Sequence, residues 1–167
     1  MEQLIKALPT LLKKQQELDD YIMRERFLTH GETIEHRKLA FVVELAELAQ
    51  EWRGFKYWSD NQEPSDKMLE EYVDVLHFAL SLHNYYEGNN WFVEEFGAQP
   101  TEKLNEGTLP TFFLEMTERT CGYNWSTGET LAYTLDLSVH LELQADDILK
   151  EYDRKYQINI ERQNNGY

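Results

Sequence analysis

Four acidic residues lie at helical spacing inside two apolar stretches of the sequence. Glu44 and Glu47 are three residues apart in LAFVVELAELAQEW, and Glu71 and Asp74 are three residues apart in MLEEYVDVLHFALSL. Residues three apart lie on one face of a helix, so each stretch presents a pair of carboxylates. Because the neighbouring residues are apolar nearly all round, we expect both helices, and the acids on them, to be buried.

Carboxylates that converge in a protein interior repel one another. At an effective dielectric constant near 20, two such charges about 4 Å apart cost roughly 4 kcal/mol. A hard divalent cation with oxygen ligands offsets this repulsion. Carboxylate oxygens suit Mg²⁺ or Mn²⁺ better than zinc, and the sequence has no cluster of Cys and His. The pattern therefore predicts a Mg²⁺ site, with Mn²⁺ as a substitute, whose ligands are Glu44, Glu47, Glu71 and Asp74.

The two acid-bearing helices must lie side by side for their carboxylates to meet. Gly54 suits the left-handed position that ends a helix, and Pro64 closes the polar loop that follows. A connection this short predicts that the helices are antiparallel neighbours. Thr33 is the expected N-cap of the first of them.

Apolar stripes at three- and four-residue steps predict further helices. One covers residues 2–28, another covers 110–122, and a last long helix follows a capping-box pair formed by Ser126 and Glu129. The sequence shows no convincing strand pair and no internal repeat. The predicted fold is therefore an all-α bundle of five or six helices.

Length, charge and cysteine content limit the function classes. The chain is most simply a single domain over 1–167, with a loop-rich variable insert over 88–125. A net charge of −15 argues against a nucleic-acid polymer as partner, because phosphate neutralisation needs a basic surface. A single cysteine, Cys121, indicates a reducing compartment, and no apolar run approaches the roughly 20 residues of a membrane span. We expect a cytoplasmic protein that does not contact membranes.

Polar residues near both ends of the chain fall at helical spacing. Gln15 lies inside the apolar stripe of the first helix. It is either a partly exposed residue at the stripe edge or an amide directed into a pocket, where it can read the edge of a base. Lys155, Asn159 and Arg162 step by four and three, so they share a face if the last helix continues through them. They belong either to a frayed polar terminus or to a segment that closes over phosphates.

The carboxylate pattern resembles that of the all-α nucleoside triphosphate pyrophosphatases, the MazG-like enzymes. The strings ELAELAQEWRGFKYWS and EEYVDVLHFALSL are similar to the dimeric dUTPase family within that superfamily. The string KKQQELDDYI is similar to the first motif of the family, in which a glutamine contacts uracil. The resemblance covers most of residues 12–86 and 150–167, and is loose over 88–149. Asp19 stands where some relatives carry asparagine.

The resemblance implies a Mg²⁺-dependent homodimer that hydrolyses dUTP to dUMP and pyrophosphate and also accepts dUDP. Glu44 and Glu47 would be catalytic, and Glu44 would orient or deprotonate the attacking water. The phosphate-binding residues would be Lys56, Lys155, Asn159, Arg162 and Tyr167. The base-binding residues would be Gln15, Asp19, Trp58 and Phe78.

Three alternatives remain open on the sequence. A related all-α pyrophosphatase for another base, such as that of dCTP, would carry the same carboxylates and differ in its base pocket. A carboxylate-bridged di-iron bundle needs a carboxylate-x-x-His motif from two helices, whereas Asp74 and His77 supply it once and no E-x-x-H occurs. An acidic helical binding or inhibitor protein would use exposed acids, which would have no reason to fall on the most apolar helix faces.

Overall fold

The computed structural model describes residues 1–87, 109–122 and 127–166. Within those ranges every regular element is an α-helix and there is no strand, which confirms the all-α prediction. None of the described helices is both long and apolar enough to cross a membrane. The six helices are α1 (Glu2–Arg26), α2 (His30–Trp52), α3 (Met68–Glu87), α4 (Leu109–Cys121), α5 (Thr127–His140) and α6 (Ala145–Asn164).

The predicted insert is described only in part. Residues 88–108 and 123–125 lie outside the described residues, and so does Ser126, the predicted first member of a capping box. Residues 109–121 form α4, which matches the helix predicted over 110–122.

The first helix buries its leucine stripe and ends slightly earlier than predicted. Phe27 adopts the left-handed conformation with φ of 56°, and its N–H donates to the carbonyl of Arg24. This geometry stops the helix at Arg26 instead of residue 28. The buried residues of α1 are Leu4, Leu8, Leu11, Leu12, Gln15, Leu18 and Asp19.

The second helix begins with a capping box at Thr29 and not with the predicted N-cap, Thr33. The Thr29 hydroxyl accepts from the backbone N–H of Glu32, and the Glu32 carboxylate accepts from the backbone N–H of Thr29 at 2.8 Å. Thr33 was therefore the wrong N-cap, because it already lies within the first turn. At the other end Arg53 takes the left-handed position, with φ of 64°, in place of Gly54.

The third helix lies at the centre of the bundle and packs against α1, α2, α5 and α6. Arg37, near the start of α2, donates to the Ser81 hydroxyl near the end of α3 at 3.0 Å. Glu47, near the end of α2, lies close to Glu71 near the start of α3. The two acid-bearing helices are thus antiparallel neighbours, as predicted. Fully buried apolar residues line α3: Tyr72, Val73, Val75, Leu76, Ala79, Leu80 and Leu82.

The prediction of a single long helix after residue 126 is wrong, because α5 ends at His140 and α6 begins at Ala145. Glu142 takes the left-handed conformation with φ of 56°, and the N–H of Leu143 donates to the Ser138 carbonyl at 2.9 Å, which closes α5.

The last helix, α6, packs beside the first and runs in the same direction. Lys14 forms an ion pair with Asp153 at 2.6 Å, and about two turns further along α1 and three turns further along α6, Tyr21 donates to Asn164. These contacts keep the end of α6 helical as far as Asn164. Residues 155–162 therefore form part of a docked helix and not a frayed terminus.

One face of α2 is more exposed than its composition predicted. Leu39 is 65% exposed and Val43 is 44% exposed, and Ala46 is exposed as well. The prediction that α2 is buried all round is wrong for the single chain. The physical reason is that α2 packs mainly on α3, and to a smaller extent on α4, through its opposite face.

Candidate active site

A cavity of about 320 Å³ opens between α1, α2, α3 and α6. Polar residues from all four helices meet there, because each interrupts the apolar face with which its helix packs. Its lining combines carboxylates with a buried polar network. The lining residues are Gln15, Leu18, Asp19, Ile22, Met23, Thr33, Arg37, Glu44, Asp74, His77, Phe78, Ser81, Lys155, Asn159 and Arg162.

Three of the four predicted metal ligands lie close together; Glu44 lines the cavity, whereas Glu47 and Glu71 are not among its lining residues. Carboxylate oxygens of Glu44, Glu47 and Glu71 lie within 4.8 Å of one another. Glu44 and Glu71 are partly buried, and Glu47 is exposed to solvent. The fourth acid, Asp74, forms an ion pair with Lys155 at 2.6 Å. A group of three oxygen donors with a fourth one helical turn away fits a hard divalent cation such as Mg²⁺.

The acids raise one another's pKa values. Burial, followed by the charges of Asp74, Glu47 and Glu71, raises the pKa of Glu44 to about 7. Burial and the charges of Asp74 and Glu47 also raise the pKa of Glu71. Burial raises the pKa of Asp74 as well, although the Lys155 ammonium opposes that increase. The cluster therefore favours a bound positive charge at neutral pH.

Lys155 supplies the nearest positive charge. Its ammonium contacts Asp74 at 2.6 Å and Glu70 at 2.8 Å. Burial alone would lower the pKa of Lys155, but the hydrogen bonds to these two carboxylates outweigh that effect and raise it. Asn159 and Arg162 follow on the same face of α6 and also line the cavity. Of the predicted phosphate-binding residues, Lys155 thus contacts the acids directly, and Asn159 and Arg162 line the same cavity.

The cavity lining also includes Gln15, which is only 4% exposed. Its Nε2 donates to Asp19 Oδ1 at 2.9 Å, and Arg37 donates to the other oxygen of Asp19 at 3.3 Å. Burial raises the pKa of Asp19, while the Arg37 guanidinium lowers it. Phe78 contributes an aromatic ring to the same lining. Gln15 is therefore the buried amide of the two alternatives, not a residue at an exposed stripe edge.

Two other predicted site residues do not line the cavity of the single chain. Lys56 donates to the backbone carbonyl of Gln50 at 3.3 Å in the loop after α2. Trp58 is 65% exposed and packs edge-on against Phe55 and Tyr57. Their roles remain predictions, as does that of Tyr167, which lies outside the described residues.

A family model described as dUTPase matches residues 7–167, almost the whole chain. The chain belongs to the dimeric all-α dUTPase family. Members of this family are dUTP diphosphatases, so the chain is an enzyme, as predicted. The family is typically metal-dependent. Among the described residues, Glu44, Glu47 and Glu71 form a group of carboxylates that could hold a metal ion. No curated protein matches the chain.

Within this dUTPase, sequence reasoning missed several polar residues that complete the cavity. Arg37, His77 and Ser81 line it, and Tyr152 lies directly behind Gln15. His77 carried a signal, because it follows Asp74 by three residues and shares its helix face. Arg37 and Tyr152 carried none, because each acts through residues far away along the chain.

Proposed function

We propose that this cavity binds one dUTP molecule and that the enzyme hydrolyses it to dUMP and pyrophosphate with Mg²⁺, accepting dUDP as well. The observation that carries the proposal is the mixed lining of one cavity. Carboxylates and cations line it together with a buried amide and an aromatic ring. A nucleotide needs both kinds of contact, because it combines charged phosphates with a flat base that has polar edges.

The carboxylate cluster is the proposed metal site. Glu44, Glu47 and Glu71 would hold Mg²⁺, and Asp74 would complete the donor set. When bound, Mg²⁺ neutralises phosphate charge and makes a water molecule more acidic. Glu44 and Glu47 are the proposed catalytic residues. Glu44 is the more buried of these two and lines the cavity, so it is the better placed to orient the attacking water and accept its proton.

The α6 face is the proposed phosphate site. Lys155, Asn159 and Arg162 lie on this face and line the cavity. Phosphoryl transfer depends mostly on positioning and charge neutralisation, which two cations and an amide provide. Lys155 pairs with Asp74, so a substrate phosphate would compete for the ammonium and leave Asp74 available to the metal. Lys56 and Tyr167 are proposed to add further phosphate contacts.

The buried polar network around Gln15 is the proposed base site. Gln15 and Asp19 offer hydrogen bonds to a base edge, and Phe78 offers a ring surface. Trp58 is exposed in the single chain and would reach a base only if the loop after α2 moves or if a second chain brings it to the site. A homodimer supplies such a chain. The exposed stripe of Leu39, Val43 and Ala46 on α2 is the surface that we propose it buries.

A panel of deoxynucleotides tests this function. The protein is incubated with dUTP, dUDP, dCTP, dTTP and dATP in Mg²⁺ or in EDTA, and the products are separated by chromatography. We expect dUMP and pyrophosphate from dUTP, dUMP and phosphate from dUDP, and no product in EDTA. Preferred hydrolysis of dCTP would instead support the related pyrophosphatase with another base preference, and no hydrolysis of any substrate would refute the proposal.

A further inference from the structure

His77 and Tyr152 form a layer behind Gln15 that the proposed reaction does not use directly. His77 is 5% exposed and Tyr152 is fully buried. Their rings stack with centroids 4.1 Å apart and an angle of 16° between the planes. Both rings direct a polar atom at the same oxygen, Oε1 of Gln15. The His77 Nδ1–Oε1 distance is 2.7 Å and the Tyr152 hydroxyl–Oε1 distance is 3.1 Å.

The chemistry of the neighbours determines which way the Gln15 amide points. Asp19 is a carboxylate that accepts from Arg37, so the amide atom facing it at 2.9 Å must be the donor, Nε2. The carbonyl Oε1 consequently faces His77 and Tyr152. A carbonyl oxygen has no proton to give, so His77 must carry its proton on Nδ1.

Burial keeps His77 neutral, since it lowers the pKa of this side chain to about 3. With the proton on Nδ1, the second ring nitrogen, Nε2, is a bare acceptor. It has no hydrogen-bond partner among the described residues. Among the described residues, Gln15 is therefore the hydrogen-bond partner of the His77 ring. This hydrogen bond specifies the tautomer of His77.

Because both lone pairs of its carbonyl oxygen are used, Gln15 can act toward a ligand only as a hydrogen-bond donor. Two donors already use the two lone pairs of Oε1, although the Tyr152 hydrogen is shared with the Leu11 carbonyl at 3.4 Å. One of the two Nε2 hydrogens points to Asp19. The remaining capacity is a single N–H on a residue that lines the cavity.

We propose that His77 and Tyr152 are positioning residues that fix Gln15 as a hydrogen-bond donor, and that they thereby determine specificity for a base with a carbonyl oxygen at the contacted position. This inference rests on the proposed function and names the residues that set its base preference. Uracil presents an oxygen where cytosine presents an amine. An N–H facing that amine leaves two donors in opposition, and both remain unpaired in a buried site.

Removing one phenolic oxygen provides the first test. Tyr152→Phe keeps the ring and its stacking on His77 but removes one of the two donors to Oε1. We expect the ratio of kcat/KM for dUTP to that for dCTP to fall about three- to tenfold. A purely structural role would lower both values equally and leave their ratio unchanged.

A matched control separates this effect from general destabilisation. Tyr72 is also fully buried, and its hydroxyl donates to the Thr134 carbonyl at 3.0 Å, away from the cavity. Tyr72→Phe removes a comparable hydrogen bond and is expected to leave the dUTP to dCTP ratio unchanged. In a Gln15→Met background, Tyr152→Phe is expected to have no further effect on that ratio, because no amide remains to be oriented. An equal fall in both backgrounds would overturn the proposal.

A second measurement needs no substrate. Nitrogen-15 NMR of the five histidines reports which ring nitrogen carries the proton, and the signals lost in His77→Phe identify His77. We expect a protonated Nδ1 and a bare Nε2 in the unaltered protein, and loss of that preference in Gln15→Met. Protonation of His77 on Nε2 would overturn the proposal. Failure to hydrolyse dUTP would refute the proposed function but would leave this result decisive for the orientation of Gln15.

Discussion

Replacement of Glu44 by glutamine is expected to stabilise the metal-free protein, and to do so only when the pH is high enough to ionise the cluster. Glu44 is partly buried beside Glu47 and Glu71, and burial together with its acidic neighbours raises its pKa from 4.5 to about 7. A raised pKa in the folded state means that the folded protein resists ionisation. The resulting loss of stability begins as the pH rises through about 4.5 and is complete above about 7.

The size of this effect follows from the two pKa values. A tenfold change in proton affinity is about 1.4 kcal/mol, so the difference between 4.5 and about 7 corresponds to roughly 3 kcal/mol before screening. Solvent reaches part of the Glu44 side chain, and screening reduces the expected gain to about 1–2 kcal/mol at pH 8. For a chain of this length, that gain raises Tm by roughly 2–8 °C.

Thermal unfolding in EDTA at pH 8 and at pH 4.5 measures the effect. Glu44→Gln should unfold at a higher temperature than the unaltered protein at pH 8, and within about 1 °C of it at pH 4.5. Glu35→Gln is the matched control, because Glu35 lies on the same helix and is exposed, with an ion pair to Lys38 at 3.0 Å. It should not raise Tm at either pH. An unchanged or lower Tm for Glu44→Gln at pH 8 would show that the acids do not repel one another as the structure indicates.

The other predictions concern hydrolysis and assembly. Asp74→Asn removes both a proposed metal ligand and a partner of Lys155, so kcat should fall more than tenfold while the circular dichroism spectrum stays helical. A variant that keeps more than a tenth of kcat has lost about 1.4 kcal/mol of barrier stabilisation or less, which would argue against metal ligation by Asp74. Arg162→Lys keeps the charge but loses the planar fork that binds phosphate, so KM for dUTP should rise severalfold, and an unchanged KM would place Arg162 outside the phosphate site. Leu39→Glu places a charge on the exposed α2 stripe and should convert a dimer to a monomer in light scattering; a monomeric unaltered protein would refute the proposed interface.

Local patterns in the sequence were sufficient to predict much of the helical framework. The acids of α2 and α3 lie at fixed helical spacing, and the short loop between these helices restricts how they pack, so their antiparallel pairing followed from sequence. The N-cap of α2 was missed because Thr29 and Thr33 are both acceptable caps, and only the reciprocal contact with Glu32 distinguishes them.

The contacts that give the site its polarity could not be predicted in the same way. The pairing of Lys155 with Asp74 joins residues far apart in the sequence and depends on how α6 docks against α3. The hydrogen bond from Tyr152 to Gln15 depends on the same docking. The sequence of each helix alone does not distinguish these side chains from ordinary surface or core residues. Similarly, the exposure of Leu39 depends on what covers α2, which the apolar composition of the helix does not specify.

Hydrolysis of dUTP under single-turnover conditions tests the central claim most directly, because that claim assigns the reaction to the carboxylate cluster. The unaltered protein, Glu47→Gln and the control Glu35→Gln are each mixed with dUTP and Mg²⁺, and dUMP and pyrophosphate are measured over time. We predict full conversion by the unaltered protein and by Glu35→Gln, and no conversion by Glu47→Gln, whose carboxylate lies within 4.8 Å of the other two acids. Conversion by Glu47→Gln at the rate of the unaltered protein would contradict the assignment.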